Sequence, residues 1–300
     1  MAKGQYDRST IVAQRELKKN IMLGKVKPPS EIVQKKLDDM TDAEVAAQIR
    51  ERFRVMGKLT DSVIRGSSRA EIISGPPGLG KSYDIEQKMK LHSPSGTETA
   101  HIKGFARTTG IYKKLYQKKN EGNLVVFDDA DSIFANIDSL NILKAACDTT
   151  EDRWISYLAE TSMVDDISGD PLPTQFEFKG SVIFITNYDF DDKITQGDTN
   201  SEHFAALMSR SHYLSLMMKT RREYMIRVRM VAEEQGLFNN YNITADQCKM
   251  ILDYMEERKE ELREVSLRMA IKIATLVRDE AEDWKYMTDI TCLRPEHSLI

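Results

Sequence analysis

Glu71-Ile72-Ile73-Ser74-Gly75-Pro76-Pro77-Gly78-Leu79-Gly80-Lys81-Ser82-Tyr83 is the stretch that decides the fold. Within it, Gly75–Ser82 fits G-x-x-x-x-G-K-[ST], with an apolar run before it and a helical pattern after it. Glycines let the backbone take φ > 0 turns and bring N–H groups onto phosphate oxygens. A helix starting at about Lys81 points its partial positive end at the same anion. Lys81 would reach the β- and γ-phosphates of a nucleotide, and the Ser82 hydroxyl would join a Mg²⁺ shell. The expected nucleotide-binding residues are Gly75, Pro76, Pro77, Gly78, Leu79, Gly80, Lys81, Ser82 and Tyr83. The alternative is a Gly/Pro-rich turn with a surface lysine; an eight-residue match between a strand and a helix weighs against it.

A second apolar run, Leu124-Val125-Val126-Phe127, stops on Asp128-Asp129, 47 positions after Lys81. A buried strand ending on acids delivers them to the carboxyl edge of a sheet, beside the phosphate loop. Asp128 is then expected to hold Mg²⁺ through water, and Asp129 to orient the attacking water as general base. Without the phosphate loop, a strand followed by an ordinary Asx-type turn would account for the same residues.

Outward from these two motifs the chain separates into three regions. Residues 59–217 alternate strands with helices: Ala70–Ser74, Thr99–Lys103, Asn123–Phe127, Ser181–Thr186 and Tyr213–Met217 read as strands. Lys81–Leu91, Thr108–Lys119, Ser132–Ala146 and Ser201–Met208 read as helices. That alternation implies a mostly parallel sheet covered on both faces, with ligands beyond the strands' carboxyl ends. Residues 1–58 read as a polar helical segment with thirteen basic and eight acidic residues, broken at Pro28-Pro29-Ser30. A helix start is expected at Thr41, with Glu44 completing the cap and Val45, Ile49, Phe53 and Val55-Met56 at helical spacing. Residues 218–300 carry no strand pattern and suggest three or so helices.

The 300 residues are 41% apolar and 30% charged with a net charge of −4, the balance of a soluble globular protein. No apolar stretch nears the roughly 18 residues a membrane span needs. Met1–Arg8 is polar and does not read as a secretory signal. Cys147, Cys248 and Cys292 match no zinc or redox spacing, so a reduced, cytoplasmic setting is expected.

With these residues in place the sequence resembles the AAA+ ATPases over about Leu59 to Leu276. The resemblance implies ATP and Mg²⁺ as cofactors and a P-loop three-layer α/β/α core with a parallel sheet. A small all-α lid would follow this core and a helical N-terminal segment precede it. Family members end the next central strand on a polar residue that positions the lytic water; Val182-Ile183-Phe184-Ile185-Thr186-Asn187 has that form, which makes Asn187 the first sensor. The arginine that enters a neighbouring subunit's site corresponds to Arg210, before the expected strand at Tyr213, with Arg153 as a competitor. Ser266-Leu267-Arg268 resembles the second sensor, so Arg268 would reach the γ-phosphate. One departure stands out: the usual member has Glu where this chain has Asp129, one methylene shorter. The implied active unit is a ring of identical subunits, commonly a hexamer.

Two segments are placed to meet a substrate. Lys103-Gly104-Phe105-Ala106-Arg107 falls where the family carries its first pore loop, so Lys103, Phe105 and Arg107 are candidate contacts to DNA or to an extended peptide. Alternatively, Phe105 packs beneath the following helix. Arg153–Leu158 and Thr174–Phe178 alternate as strands around the acidic turn Asp165–Pro171. They resemble the β-hairpin inserted before the first sensor in the branch containing superfamily 3 helicases, RuvB-type motors and ClpX-type unfoldases. The acidic tip argues against phosphate contact there, and an edge extension of the sheet is the alternative. Lys18, Lys19, Lys25, Lys27, Lys35 and Lys36 form a further basic set able to meet nucleic acid.

The function expected is an ATP-hydrolysing ring motor on DNA or nucleoprotein, with no membrane partner and a helicase-like character. The alternatives are a protein-remodelling ATPase of unfoldase type and a slow ATP-dependent loader or switch.

Overall fold

A computed structural model of the chain describes residues 37–158 and 163–298. The basic set from Lys18 to Lys36 and the Pro28-Pro29-Ser30 break lie outside the described residues. The chain divides into two units, residues 1–48 and 49–300. In the first, helix α1 (Asp42–Ile64) begins where expected. The Glu44 carboxylate accepts from the Thr41 backbone N–H at 2.7 Å, and Thr41 Oγ1 accepts from the Glu44 N–H at 3.3 Å, which closes a capping box.

The second unit is built on a five-stranded, all-parallel sheet. Its strands are β1 (Ala70–Ser74), β2 (Thr99–Lys103), β3 (Leu124–Asp128), β6 (Ser181–Thr186) and β7 (His212–Ser215), in the order β2-β3-β6-β1-β7. Helices α2 (Lys81–His92), α3 (Thr108–Gln117), α4 (Ile137–Ala146), α5 (Phe190–Gln196) and α6 (Ser201–Met208) connect them. The three inner strands β1, β3 and β6 are buried on both faces, which is why they are continuous apolar runs.

Successive side chains point to opposite faces, and the core sorts accordingly. Ile72, Val125, Phe127, Val182 and Phe184 join Tyr112, Phe134, Phe190 and Phe204 on one face. Ile73, Val126, Ile183 and Ile185 join Met56 and Val63 of α1 and Ile85 and Met89 of α2 on the other. Each such side chain contributes about 1.5–3 kcal/mol by leaving water. In register, Ser74 lies beside Thr186 and Lys103 beside Asp128, so the phosphate loop, the acid pair and Asn187 all leave the same edge.

After β7 come α7 (Arg221–Glu234), α8 (Ala245–Glu257), α9 (Leu267–Asp279) and α10 (Trp284–Cys292). They pack around their own core, including Met225, Val228, Ile251, Met255, Ile273 and Val277. Capping boxes at Thr220/Glu223 and Thr244/Gln247 start α7 and α8, and Ser266 caps α9. Among the described residues, no helix is long and apolar enough to cross a membrane.

The expected α/β core with a parallel sheet and a following helical region is therefore present. Several details differ. The helix expected at Ser132–Ala146 is two pieces, a 3-10 turn Asp131–Phe134 and α4, because Asn136 takes an extended backbone and caps α4 with its side chain. Helix α5 was not expected; Asp189 caps its start and left-handed Gly197 ends it. The last strand sits slightly earlier than Tyr213–Met217. Where three or so C-terminal helices are expected, the described residues hold four α-helices. Strands β4 (Trp154–Ser156) and β5 (Gln175–Glu177) pair antiparallel as a separate two-stranded sheet, so they are a hairpin and not an edge extension.

Candidate nucleotide-binding site

The phosphate loop leaves β1 with the Gly75 N–H bonded to the Thr186 carbonyl at 3.1 Å. Gly78 and Gly80 take φ values of 75° and 93°, and a Cβ on Gly78 would lie 2.8 Å from Ser266 Cβ, so both a positive φ and close packing require glycine there. Helix α2 starts at Lys81 with no side-chain cap, leaving its N-terminal N–H groups directed at the loop.

Lys81 is buried, and its ammonium donates to the carbonyls of Gly75 and Pro76 and to Asn187 Oδ1 at 3.3 Å. Burial pulls its pKa down to about 8, against the opposing pull of Asp129, Asp128 and Asp131. Ser82 Oγ donates to Asp128 Oδ1 at 2.7 Å, while His101 Nε2 meets Asp128 Oδ2 at 3.1 Å. Burial alone would raise the Asp128 carboxyl, but the His101 and Ser82 hydrogen bonds and the nearby charge of Lys103 bring it below its ordinary value. A hydroxyl and a carboxylate side by side are the hard oxygen donors Mg²⁺ takes, so the donor set fits that ion.

Asp129 is exposed, holds φ 50° and accepts from Asn187 Nδ2 at 3.0 Å. Lys81, Asp129 and Asn187 thus form one connected group. Arg268, on the first turn of α9, lines the same cavity of about 340 Å³, together with Gly78–Asp84, Leu237 and Tyr241. Arg210 does not line it; it lies in the turn after α6, and its guanidinium donates to Ala206 O of that helix at 2.8 Å. Arg153 is buried and donates to the carbonyls of Ala146 and Gly180 in the interior.

The candidate substrate loop follows β2 at the same sheet edge. Phe105 is 73% exposed and so does not pack beneath α3. Lys103 is ion-paired with Glu86, and Arg107 is exposed at the N-cap of α3. In the hairpin, Asp165 is used internally, accepting from Gln117 and Ser168, and Asp166 pairs with Lys113.

Three residues of this neighbourhood were not singled out from the sequence. His101 supports Asp128, and Asp131 accepts from Thr186 Oγ1 beside Asn187. Arg227 of α7 is 2% exposed and donates through Nε and Nη2 to the Leu79 carbonyl at 3.3 and 3.2 Å. Burial pulls its pKa down to about 10. Only the alternation of strands, which places His101 on the strand beside Asp128, offered a signal for any of them.

The glycine loop between β1 and α2, the acid-ended β3 beside it and the parallel sheet form the α/β arrangement the motifs imply. No family model matches the chain. Among solved structures, the RuvB Holliday junction branch migration motor of Thermotoga maritima aligns at 17% identity with a TM-score of 0.42, over 80% of this chain and 63% of that one. NtrX from Brucella abortus in complex with ADP aligns at 14% identity with a TM-score of 0.44, over 93% of this chain and 61% of that one. The chain therefore spans less than two thirds of either solved chain. An uncharacterized 36.7 kDa protein of Enterobacteria phage T4, from the nrdC-mobD intergenic region, is 32% identical over 243 residues, 81% of this chain and 74% of that protein. With that identity over most of both sequences, the chain belongs to the same family as the phage T4 protein.

Proposed function

We propose that this protein is an ATP-hydrolysing AAA+ ring motor working on DNA or nucleoprotein, with residues 59–217 as its nucleotide-binding core and 218–300 as its lid. The observation that carries the reading is the convergence of Lys81, Ser82, Asp128, Asp129 and Asn187 at one sheet edge, with Arg268 on the same cavity.

In this reading the loop N–H groups and Lys81 hold the β- and γ-phosphates, and Ser82 and Asp128 hold Mg²⁺. The ion, when bound, neutralises charge on the phosphate oxygens. Asp129 takes the proton of a water that Asn187 keeps in line, and Arg268 meets the γ-phosphate. Arg210 acts on the neighbouring subunit's nucleotide; such an arginine contributes about 10³–10⁵ in rate. Its place outside its own subunit's cavity supports that role. Phe105, with Lys103 and Arg107, offers the ring's channel an aromatic face between cations.

Protein remodelling is the second reading. It is favoured by the hairpin, where Trp154, Leu158 and Ile167 are exposed among acidic residues, a surface suited to protein better than to phosphate. ATP hydrolysis measured over a range of protein concentrations, alone, with DNA and with an unfolded protein, separates the two. Specific activity should rise with concentration and DNA should accelerate it. Acceleration by unfolded protein alone selects the second reading, and a monomer with concentration-independent activity excludes a shared site.

A further inference from the structure

The loop between β1 and α2 is held from outside by two of its own carbonyls. The Leu267 N–H donates to Gly78 O at 2.9 Å, and Arg227 donates twice to Leu79 O. In a trans peptide the C=O and the following N–H point in opposite directions. Fixing Gly78 O and Leu79 O toward the C-terminal helices therefore aims the N–H groups of Leu79 and Gly80 away from those helices.

The Arg227 guanidinium is itself held flat. Its Cζ lies 3.5 Å from the ring centroid of Phe53 on α1, and a Cβ on Gly80 would come within 3.5 Å of its Nη2. Among the described residues, Leu79 O is the one acceptor hydrogen-bonded to it, and Nη1 has no hydrogen-bond partner. Burying a guanidinium this sparsely bonded is costly, and stability alone is a poor reason to do so. What it does accomplish is to join α7, the phosphate loop and α1 at one point.

We infer that Arg227 is a positioning residue that locks the C-terminal helices to the phosphate loop, so that nucleotide binding and the placement of α7 change together. The inference rests on the nucleotide-binding reading of the loop. Lysine at this position keeps the charge but loses the planar fork and its stacking on Phe53.

The test is binding of a fluorescent ATP analogue to the full chain, read with hydrogen–deuterium exchange of α7 and α9 with and without nucleotide. Failure of the unsubstituted protein to bind sinks the nucleotide reading before any variant is compared. Arg227→Lys, folded by circular dichroism, should bind about ten-fold more weakly or worse, the loss of one charge-assisted hydrogen bond. Nucleotide should also no longer slow exchange in α7. Phe53→Leu, which removes the ring but keeps the apolar contact, should shift both readouts the same way by less. The two losses should be non-additive when combined. Either variant, folded and matching the unsubstituted protein in both affinity and nucleotide-induced protection of α7, overturns the inference.

Discussion

Asp129 holds a left-handed backbone at φ 50° while its carboxylate accepts from Asn187, and its own N–H donates to Ile185 O at 3.0 Å. That conformation costs an ordinary L-residue about 1–2 kcal/mol, least for Asp and Asn, and it turns the short carboxylate back onto the end of β6. Asp129→Asn and Asn187→Ala should each cut single-turnover hydrolysis by about 10²–10⁴ while leaving nucleotide affinity within a few-fold. Lys81→Ala should abolish binding itself, so equilibrium titration separates the two classes. A dependence of stability on pH belongs to Glu71, wholly buried in β1 with Thr60 Oγ1 donating to one carboxyl oxygen. Burial pushes its pKa from 4.5 up to about 8, so between those values the folded protein holds a proton that the unfolded chain has lost. Stability from this group is present below about pH 4.5 and declines as pH rises toward 8. Glu71→Gln should therefore gain on the unsubstituted protein from pH 5 to pH 8, by about 1–3 kcal/mol in urea unfolding. Residues in one contiguous motif were legible in the sequence because the loop's chemistry is local. Arg227, 148 positions from the Leu79 carbonyl it holds, was not, since a buried arginine on an amphipathic helix reads like any surface arginine.

Strands β1, β2 and β6 were legible to the residue because each is an apolar or alternating run with a clear stop. Asp128 closes β3 one position beyond the apolar residues, since it still pairs with Lys103 across the sheet. Helix α5 escaped because seven residues give less than two full periods; only its Asp189 cap and Gly197 stop marked it. The break at Ala135-Asn136 escaped for the opposite reason, as the apolar spacing runs on through it. The two-sided burial of β6 predicts a large penalty for Phe184→Ala, whose ring stacks on Phe127 at 5.5 Å: about 3–5 kcal/mol by chemical denaturation. At the entry to α7, Thr220 Oγ1 accepts from the Glu223 N–H at 3.3 Å while Glu223 accepts from the Thr220 N–H at 3.0 Å. Thr220→Ala should cost about 1 kcal/mol, with the loss confined to exchange protection of the C-terminal helices.

At the scale of the whole molecule, the question is whether one chain holds a complete site. Lys81, Asp129, Asn187 and Arg268 share one cavity, whereas Arg210 follows α6 in a turn with its guanidinium donating to Ala206 O. Arg153 is buried and donates to two interior carbonyls. If Arg210 serves the neighbouring subunit, Arg210→Ala should bind nucleotide normally and lose turnover by about 10³ or more. Lys81→Ala should be inactive for the separate reason that it holds no phosphate. Each variant then retains the half that the other lacks. In a randomly mixed ring with head-to-tail junctions, about a quarter of the junctions would combine Lys81 of one subunit with Arg210 of the next. Mixing the two inactive proteins should therefore restore a measurable share of hydrolysis, rising with total protein concentration. A fully active Arg210→Ala protein, or mixtures that stay dead while native gels show both variants in one assembly, would remove Arg210 from the site.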